Sequence, residues 1–237
     1  MSHKPFQFKQ FTIEQDRCAM KIGTDSVLLG AWTKVNNLHS ILDIGAGTGV
    51  LALMLAQRCS APNIDALEID AEAFEQCTNN FENSQWADRL FCYHGSLLEF
   101  TEDIDDTYDL IICNPPFYSE NYKTDDTARD MARFNDAMPF EHLVFAVSKL
   151  LSHKGIFSVI VPFKEEQLIL DLARNYGLSP HRILRVKGTP QSAFKRSLLE
   201  FSFQSQTLIE EKLIIETTRH EYTQDYIDLT KEFYLKM

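Results

Sequence analysis

Short apolar runs alternate with longer amphipathic segments along residues 40–176 of this 237-residue chain. Each short run has the length of a buried strand, and each longer segment repeats its apolar residues at helical spacing. An alternation of this kind predicts an α/β fold, a parallel sheet with helices on both faces. The predicted strands are 40–44, 64–69, 90–93, 108–113 and 155–161, and the predicted helices are 50–58, 71–83, 139–151 and 164–176.

The alternation stops after residue 176. Ile183–Val186 and Ser197–Phe203 have strand-like patterns with no helix between them, which predicts an antiparallel hairpin at the edge of a seven-stranded, mostly parallel sheet. Outside the sheet, we expect a partly buried extended segment with Phe6, Phe8 and Phe11, a helix over residues 24–32 capped by Thr24 or Asp25, and a helical tail over residues 222–233.

Composition limits the class of protein. The hydrophobic fraction of 44% and the charged fraction of 24% are typical of a soluble globular domain. The sequence has no apolar run of membrane-spanning length and no visible secretory signal. Its five cysteines are widely spaced and form no C-x-x-C pair, which favours reduced thiols in a cytoplasmic protein without a metal site. We expect a monomer with one domain over residues 1–237.

A glycine-rich turn follows the first predicted strand. Its sequence is Asp43-Ile44-Gly45-Ala46-Gly47-Thr48-Gly49, which differs from the G-x-G-x-x-G spacing of dinucleotide-binding turns. Glycines let a ligand lie against bare backbone. The Asp43 carboxylate would repel a pyrophosphate, but it suits a ligand that carries an ammonium and a sulfonium. S-adenosylmethionine has both groups.

The next two predicted strands end in further candidate cofactor residues. Glu68 stands where a carboxylate can accept hydrogen bonds from both ribose hydroxyls. Asp70 is better placed to cap the following helix. Ser96 and Leu97 follow the third strand, where an adenine ring would be flanked, and the Ser96 hydroxyl can bond the adenine amine.

The fourth predicted strand ends in Asn114-Pro115-Pro116-Phe117. The Asn114 side chain and the Pro115 backbone each offer a carbonyl oxygen, and Pro116 restricts the position of the second one. Two adjacent acceptors can bind both hydrogens of a planar amine, while Phe117 offers a face for stacking. The alternative is a strand that ends in a rigid turn with a buried aromatic ring.

These motifs resemble those of class I S-adenosylmethionine-dependent N-methyltransferases with a Rossmann-like sheet. The segments 17–25, 28–32 and 186–196 are further similar to bacterial tRNA (adenine-N6)-methyltransferases that modify the adenosine 3′ of the anticodon in a valine tRNA. The resemblance implies that an N-terminal extension, residues 1–36, contributes to the cofactor site. It places Lys21, Thr24 and Asp25 beside the cofactor's amino-acid end, although a helix cap with a surface lysine is an equal alternative.

The resemblance also implies a tRNA partner, although the net charge of −11 argues against binding by bulk attraction. Local basic or aromatic side chains are therefore the candidates, with a solvated, ion-paired face as the alternative. The acceptor also stays open between adenosine, guanine N2 in ribosomal RNA and a glutamine side chain in a protein, and a non-catalytic binding module is a further alternative. The candidate RNA-binding residues are Phe117, Tyr118, Arg129, Arg133, Arg185, Lys187, Lys195 and Arg196.

Overall fold

The computed structural model describes residues 4–116 and 138–237, and its elements largely follow the predicted alternation. The strands are β1 (Phe6–Gln7), β2 (Thr12–Ile13), β3 (Ser40–Ile44), β4 (Asn63–Glu68), β5 (Leu90–His94), β6 (Tyr108–Cys113), β7 (Leu151–Pro162), β8 (Ser179–Lys187), β9 (Phe194–Ser202), β10 (Ile209–Ile214), β11 (Glu216–Thr218) and β12 (Glu221–Tyr222). The helices are α1 (Thr24–Trp32), α2 (Val50–Arg58), α3 (Ala71–Glu82), α4 (Leu97–Asp103), α5 (Phe140–Leu150), α6 (Glu166–Asn175) and α7 (Gln224–Thr230), with a 3₁₀ turn at Phe163–Glu165.

The central sheet has the strand order β10-β8-β9-β7-β6-β3-β4-β5. The five strands β3 to β7 all run parallel to one another. Strand β9 runs antiparallel to both of its neighbours, β7 and β8. In the register, Ile44 lies beside both Leu67 and Cys113. The residues that follow β3, β4 and β6 therefore meet at one edge of the sheet, where ligands of such folds bind.

Within residues 4–116 and 138–237 the sheet already has eight strands, so the predicted count of seven was wrong. The additional strand, β10, pairs in parallel with β8 at the edge. Its first four residues, Ile209 to Lys212, are exposed and mostly charged, so the segment lacks the apolar pattern by which a buried strand is predicted. Backbone pairing with β8 determines its structure instead.

Two further predictions at helix ends need correction. Helix α1 begins at Thr24 as predicted, but its N-cap is Gly23 and no side chain caps it, so neither Thr24 nor Asp25 has that role. The helical tail is shorter than residues 222–233, because Thr223 caps α7 and the chain pairs as β12 before it. Helix α4, which was not predicted, is one of the shortest helices, with seven residues.

Helices cover both faces of the sheet, as predicted. On one face, α1, α2 and α3 pack on residues such as Ile41 and Ile112. On the other face, α4, α5 and α6 pack on residues such as Ile111 and Val159. Phe8 and Phe11 are buried against the first of these layers, which confirms the partly buried N-terminal segment. Within the described residues, no helix is long and apolar enough to cross a membrane.

Candidate active site

The glycine turn lies between β3 and α2, and its three glycines all have positive φ, at 71°, 55° and 78° for Gly45, Gly47 and Gly49. Gly47 and Gly49 differ in how much space surrounds them. A Cβ on Gly47 would meet no atom of the described residues within 4 Å, whereas a Cβ on Gly49 would lie 2.6 Å from the Phe81 ring and 2.8 Å from Cys77 Sγ. Gly47 thus leaves open space for a ligand, and Gly49 lets α3 pack against the turn.

Asp43 is fully buried beneath this turn. Its Oδ2 accepts a hydrogen bond of 3.2 Å from the backbone N–H of Ala52 in the first turn of α2. Its Oδ1 is buried and has no hydrogen-bond partner in the described chain. Burial raises the pKa of Asp43 to about 7. An unpartnered buried carboxylate oxygen is costly, and a cationic ligand nearby would offset that cost.

Glu68 ends β4 and connects the glycine turn to the start of α3. Its Oε2 accepts a hydrogen bond of 2.7 Å from the Gly47 N–H, and its Oε1 accepts from the backbone N–H groups of Ile69 and Asp70, each at 2.9 Å. Oε2 retains a lone pair for a hydroxyl donor. Asp70 caps α3 through a 2.8 Å bond from Ala73 N–H, as predicted.

Asn114 lies directly after β6, beside the glycine turn along the sheet edge. Its Nδ2 donates a hydrogen bond of 2.8 Å to Ser26 Oγ on α1, and Ser26 is 9% exposed. This is the only side-chain hydrogen bond of Asn114 within the described residues. Because the amide nitrogen is held by Ser26, the Oδ1 atom stays available as an acceptor. The sequence reasoning missed Ser26, whose only signal is its position next to Thr24 and Asp25.

The proline pair after Asn114 is well packed, with Pro115 buried and Pro116 half-buried. The two proline rings restrict the backbone at this point and remove two N–H donors. The predicted residues Phe117, Tyr118, Arg129 and Arg133 lie outside the described residues, so their placement stays a prediction.

Ser96 and Leu97 begin α4. Ser96 is the N-cap, since its Oγ accepts from Glu99 N–H and donates to Glu99 Oε2 at 2.7 Å. This reciprocal pairing resembles a capping box and engages the hydroxyl that was predicted to bond adenine. Leu97 is buried in the core, with 7% exposed. Ser96 therefore has a structural role in this state, and its adenine contact stays a prediction.

The N-terminal extension packs against α3 and the glycine turn through a buried amide. Asn80 Oδ1 accepts from Glu14 N–H, while Asn80 Nδ2 donates to the carbonyls of Glu14 and Thr48, all at 2.9 Å. Burial, and after it the negative charge of Glu68, raises the pKa of the Cys18 thiol in this extension to about 12. Sequence reasoning missed Asn80, which is one of two consecutive asparagines in α3.

The predicted cofactor residues of the extension are more exposed. Lys21 and Thr24 are exposed, and Asp25 is half-buried in a 2.7 Å ion pair with Arg196 of β9. This ion pair connects the start of α1 to β9, which lies two positions from β6 in the sheet. The contacts of Lys21 and Thr24 with the cofactor stay predictions.

The basic residues predicted to bind RNA fall into two groups. Arg185 pairs with Glu166 at 2.6 Å and with Glu210 at 3.1 Å, and its hydrogen bond to Glu166 is the main cause of its raised pKa. Arg196 pairs with Asp25. Lys187 and Lys195, in contrast, have no salt bridge in the described part of the chain. Both arginines therefore have acidic partners, as the alternative of an ion-paired face describes, and their contact with RNA stays a prediction.

No metal-binding group is present among residues 4–116 and 138–237, where no three His, Cys, Asp or Glu side chains cluster suitably. The five cysteines are all free thiols, as predicted.

Comparisons with known proteins identify the fold and the family of this chain. Residues 18–138 match the methyltransferase small domain family. The fold is similar to the crystal structure of a predicted O-methyltransferase from Agrobacterium tumefaciens, with a TM-score of 0.68 over 88% of this chain and 96% of that chain. The identity of 20% makes this a likeness of fold alone. The fold and site define a class I methyltransferase that uses S-adenosylmethionine, which confirms the predicted fold class and cofactor.

Two relatives that match over their full length identify the family more specifically. The chain is 64% identical to the tRNA1(Val) (adenine(37)-N6)-methyltransferase of Flavobacterium psychrophilum, over 98% of this chain and 100% of that protein. It is 55% identical to the protein of the same name from Christiangramia forsetii, over 100% of both chains. The chain belongs to the tRNA1(Val) (adenine(37)-N6)-methyltransferase family, which confirms the resemblance drawn from the residues.

Proposed function

We propose that this enzyme transfers a methyl group from S-adenosylmethionine to N6 of adenosine 37 in a valine tRNA. Its full-length relatives carry that activity in their names. The structural observation that carries the proposal is the orientation of Asn114, whose amide nitrogen is bound by Ser26 at 2.8 Å. That contact leaves a carbonyl oxygen to accept from an amine at the edge of the sheet where the glycine turn lies.

The described residues fit the cofactor. Gly47 has open space where a side chain would stand, and Asp43 has a buried oxygen without a partner, which suits a cationic ligand. Glu68 can accept a hydrogen bond from one ribose hydroxyl through the remaining lone pair of Oε2. When bound, S-adenosylmethionine supplies an electrophilic methyl group on its sulfonium. We assign the surrounding contacts to Lys21, Thr24, Gly45, Gly49, Ser96, Leu97 and Asn114.

The substrate amine is bound by Asn114 and Pro115. The two N6 hydrogens donate to Asn114 Oδ1 and to the Pro115 carbonyl, which directs the nitrogen lone pair away from both oxygens. Pro116 stiffens the turn, and Phe117 stacks on the adenine ring. Positioning of this kind contributes up to roughly 7–11 kcal/mol in favourable systems. No general base is assigned, because the nitrogen loses its proton readily once it is methylated.

The target adenosine must leave the base stack to reach Asn114. A base in a single-stranded loop is easier to extract than a paired base, because no pair is broken. The N-terminal extension, residues 1–36, completes the site by packing beside Glu68 and by supplying Ser26 on α1. We expect a monomeric, cytoplasmic enzyme with one domain over residues 1–237.

Incubation with isotope-labelled cofactor tests the acceptor. Purified tRNA, ribosomal RNA and a protein extract would each be treated with enzyme and label, then digested and analysed by mass spectrometry. We expect label in N6-methyladenosine from tRNA, located at position 37. Label in N2-methylguanosine from ribosomal RNA, or in a glutamine-containing peptide, would contradict the proposed substrate. No label in any acceptor would indicate a binding module.

A further inference from the structure

We propose that a lysine–phenylalanine surface binds the single-stranded RNA that flanks the target adenosine. This surface lies at the same edge of the sheet as Asn114, next to the ends of β8 and β9. The surface consists of Phe163, Lys187, Phe194, Lys195 and Lys212. The inference rests on the proposed function, because it extends the same substrate beyond the reacting base.

The strand register places this surface at the same edge as Asn114. Strands β6 and β7 are parallel neighbours, and Pro162 at the end of β7 lies beside Arg196 of β9. Lys187 at the end of β8 pairs with Phe194 at the start of β9. Strands β9 and β8 are two and three positions from β6. At a strand spacing of about 4.8 Å, they lie about 10 and 14 Å away, within reach of adjoining nucleotides.

Phe194 is the centre of the surface. Lys187 Nζ lies 4.8 Å from the centre of its ring, and Lys212 Nζ lies 6.0 Å from it. The Phe163 ring lies 5.3 Å from the Phe194 ring at an angle of 41°, and Phe163 is 38% exposed. Lys195 and Lys212 are exposed. Phe194 itself is half-buried. Accessible aromatic rings beside cations are the combination with which proteins bind single-stranded nucleic acid.

Among the residues that the structure describes, no carboxylate forms a salt bridge with Lys187, Lys195 or Lys212. The two acids of β10 closest to the surface are already paired, Glu210 with Arg185 and Glu211 with Arg182 at 3.1 Å. Within residues 4–116 and 138–237, the lysines that form salt bridges are Lys164 and Lys231. Lys187, Lys195 and Lys212 therefore present uncompensated positive charge on a protein with a net charge of −11. Such a local cluster suits phosphate groups.

Charge and stacking can be tested separately. Loss of two phosphate contacts in the double variant Lys187→Gln/Lys212→Gln should reduce the slope of log affinity against log salt by about 1.4–1.8. Between about 50 and 200 mM salt, the variant would then lose about tenfold less tRNA affinity than the wild type. Phe194→Leu should weaken binding by about tenfold without changing that slope, because it removes stacking and no charge.

The chain offers a matched control at the opposite end of the molecule. Lys149, in the last turn of α5, lies 5.8 Å from the centre of the Phe145 ring, so Lys149→Gln removes one charge from a similar lysine–phenylalanine pair. It should leave the salt slope unchanged. Affinity for S-adenosylhomocysteine, measured for every variant, should equal that of the wild type.

Binding of tRNA is measured by fluorescence anisotropy, separately from methyl transfer. Surface variants that bind tRNA with the wild-type affinity and salt slope would overturn the inference, and so would an equal effect of Lys149→Gln. The proposed function would survive that result if the wild type still forms N6-methyladenosine. The proposed function itself would fail if the wild-type enzyme did not methylate tRNA.

Discussion

Removal of the Ser26 hydroxyl should slow methyl transfer far more than it weakens cofactor binding. In the Ser26→Ala variant, Asn114 Nδ2 loses its 2.8 Å hydrogen bond, and the amide can rotate away from the orientation that presents Oδ1 to the substrate. A neutral hydrogen bond contributes about 0.5–1.5 kcal/mol net. A tenfold rate change corresponds to 1.36 kcal/mol, so kcat should fall between about twofold and about tenfold.

The assay is single-turnover methylation of tRNA with saturating cofactor, combined with titration calorimetry of S-adenosylhomocysteine. Ser158→Ala is the matched control, since Ser158 is fully buried and its hydroxyl lies 2.7 Å from Thr33 Oγ1. This control removes the same kind of group and should lower the free energy of unfolding without changing kcat. Equal losses of kcat in the two variants, or no loss in Ser26→Ala, would refute the orienting role of Ser26.

Two further predictions concern the glycine turn and Asp43. Gly49→Ala should lower the free energy of unfolding by about 2–5 kcal/mol in urea titrations, because it combines a strained φ with overpacking against Phe81. Gly47→Ala, with open space around its Cβ, should lose cofactor affinity at a smaller stability cost, and equal unfolding energies for the two variants would contradict this. The raised pKa of Asp43 means that the folded state binds this proton more tightly than the unfolded state, so stability should fall as pH rises from 3.8 through about 7. Asp43→Asn should remove that part of the pH dependence, and an unchanged urea midpoint profile would show that the carboxyl stays ionised.

The buried part of the fold follows closely from sequence patterns. Strands β3 and β6 and helix α2 have the predicted bounds, because apolar runs of these lengths allow few other structures. Strand β10 could not be predicted in this way. Its exposed, charged residues carry no burial pattern. Its backbone pairs with β8, where Arg182 and Arg185 form ion pairs with Glu211 and Glu210, and the sequence does not indicate these contacts.

The sequence motifs identified the main residues of the site. They did not identify the side chains that form hydrogen bonds with those residues. Asp43, Glu68 and Asn114 could be found because each lies at or directly after the carboxyl end of a predicted strand. Their partners could not, since Ser26 lies 88 residues from Asn114 in the chain and only the tertiary fold brings them together.

The basic residues show the same limit. Arg185, Arg196 and Lys187 are equivalent as charges in the sequence. Only the structure separates the two arginines, which form ion pairs with acids, from Lys187, which forms none with the acids that the structure describes. Local composition therefore predicts a basic surface, but tertiary contacts determine which of its charges stay available.

Replacement of Asn114 tests the central claim most directly. Asn114→Ala removes the side-chain acceptor for the N6 amine, so formation of N6-methyladenosine in valine tRNA should fall far more than affinity for S-adenosylhomocysteine. Nucleoside mass spectrometry and calorimetry on the same preparation measure the two quantities. Equal losses in both would show that Asn114 is only a cofactor contact, and unchanged methylation would contradict the proposed binding of the amine.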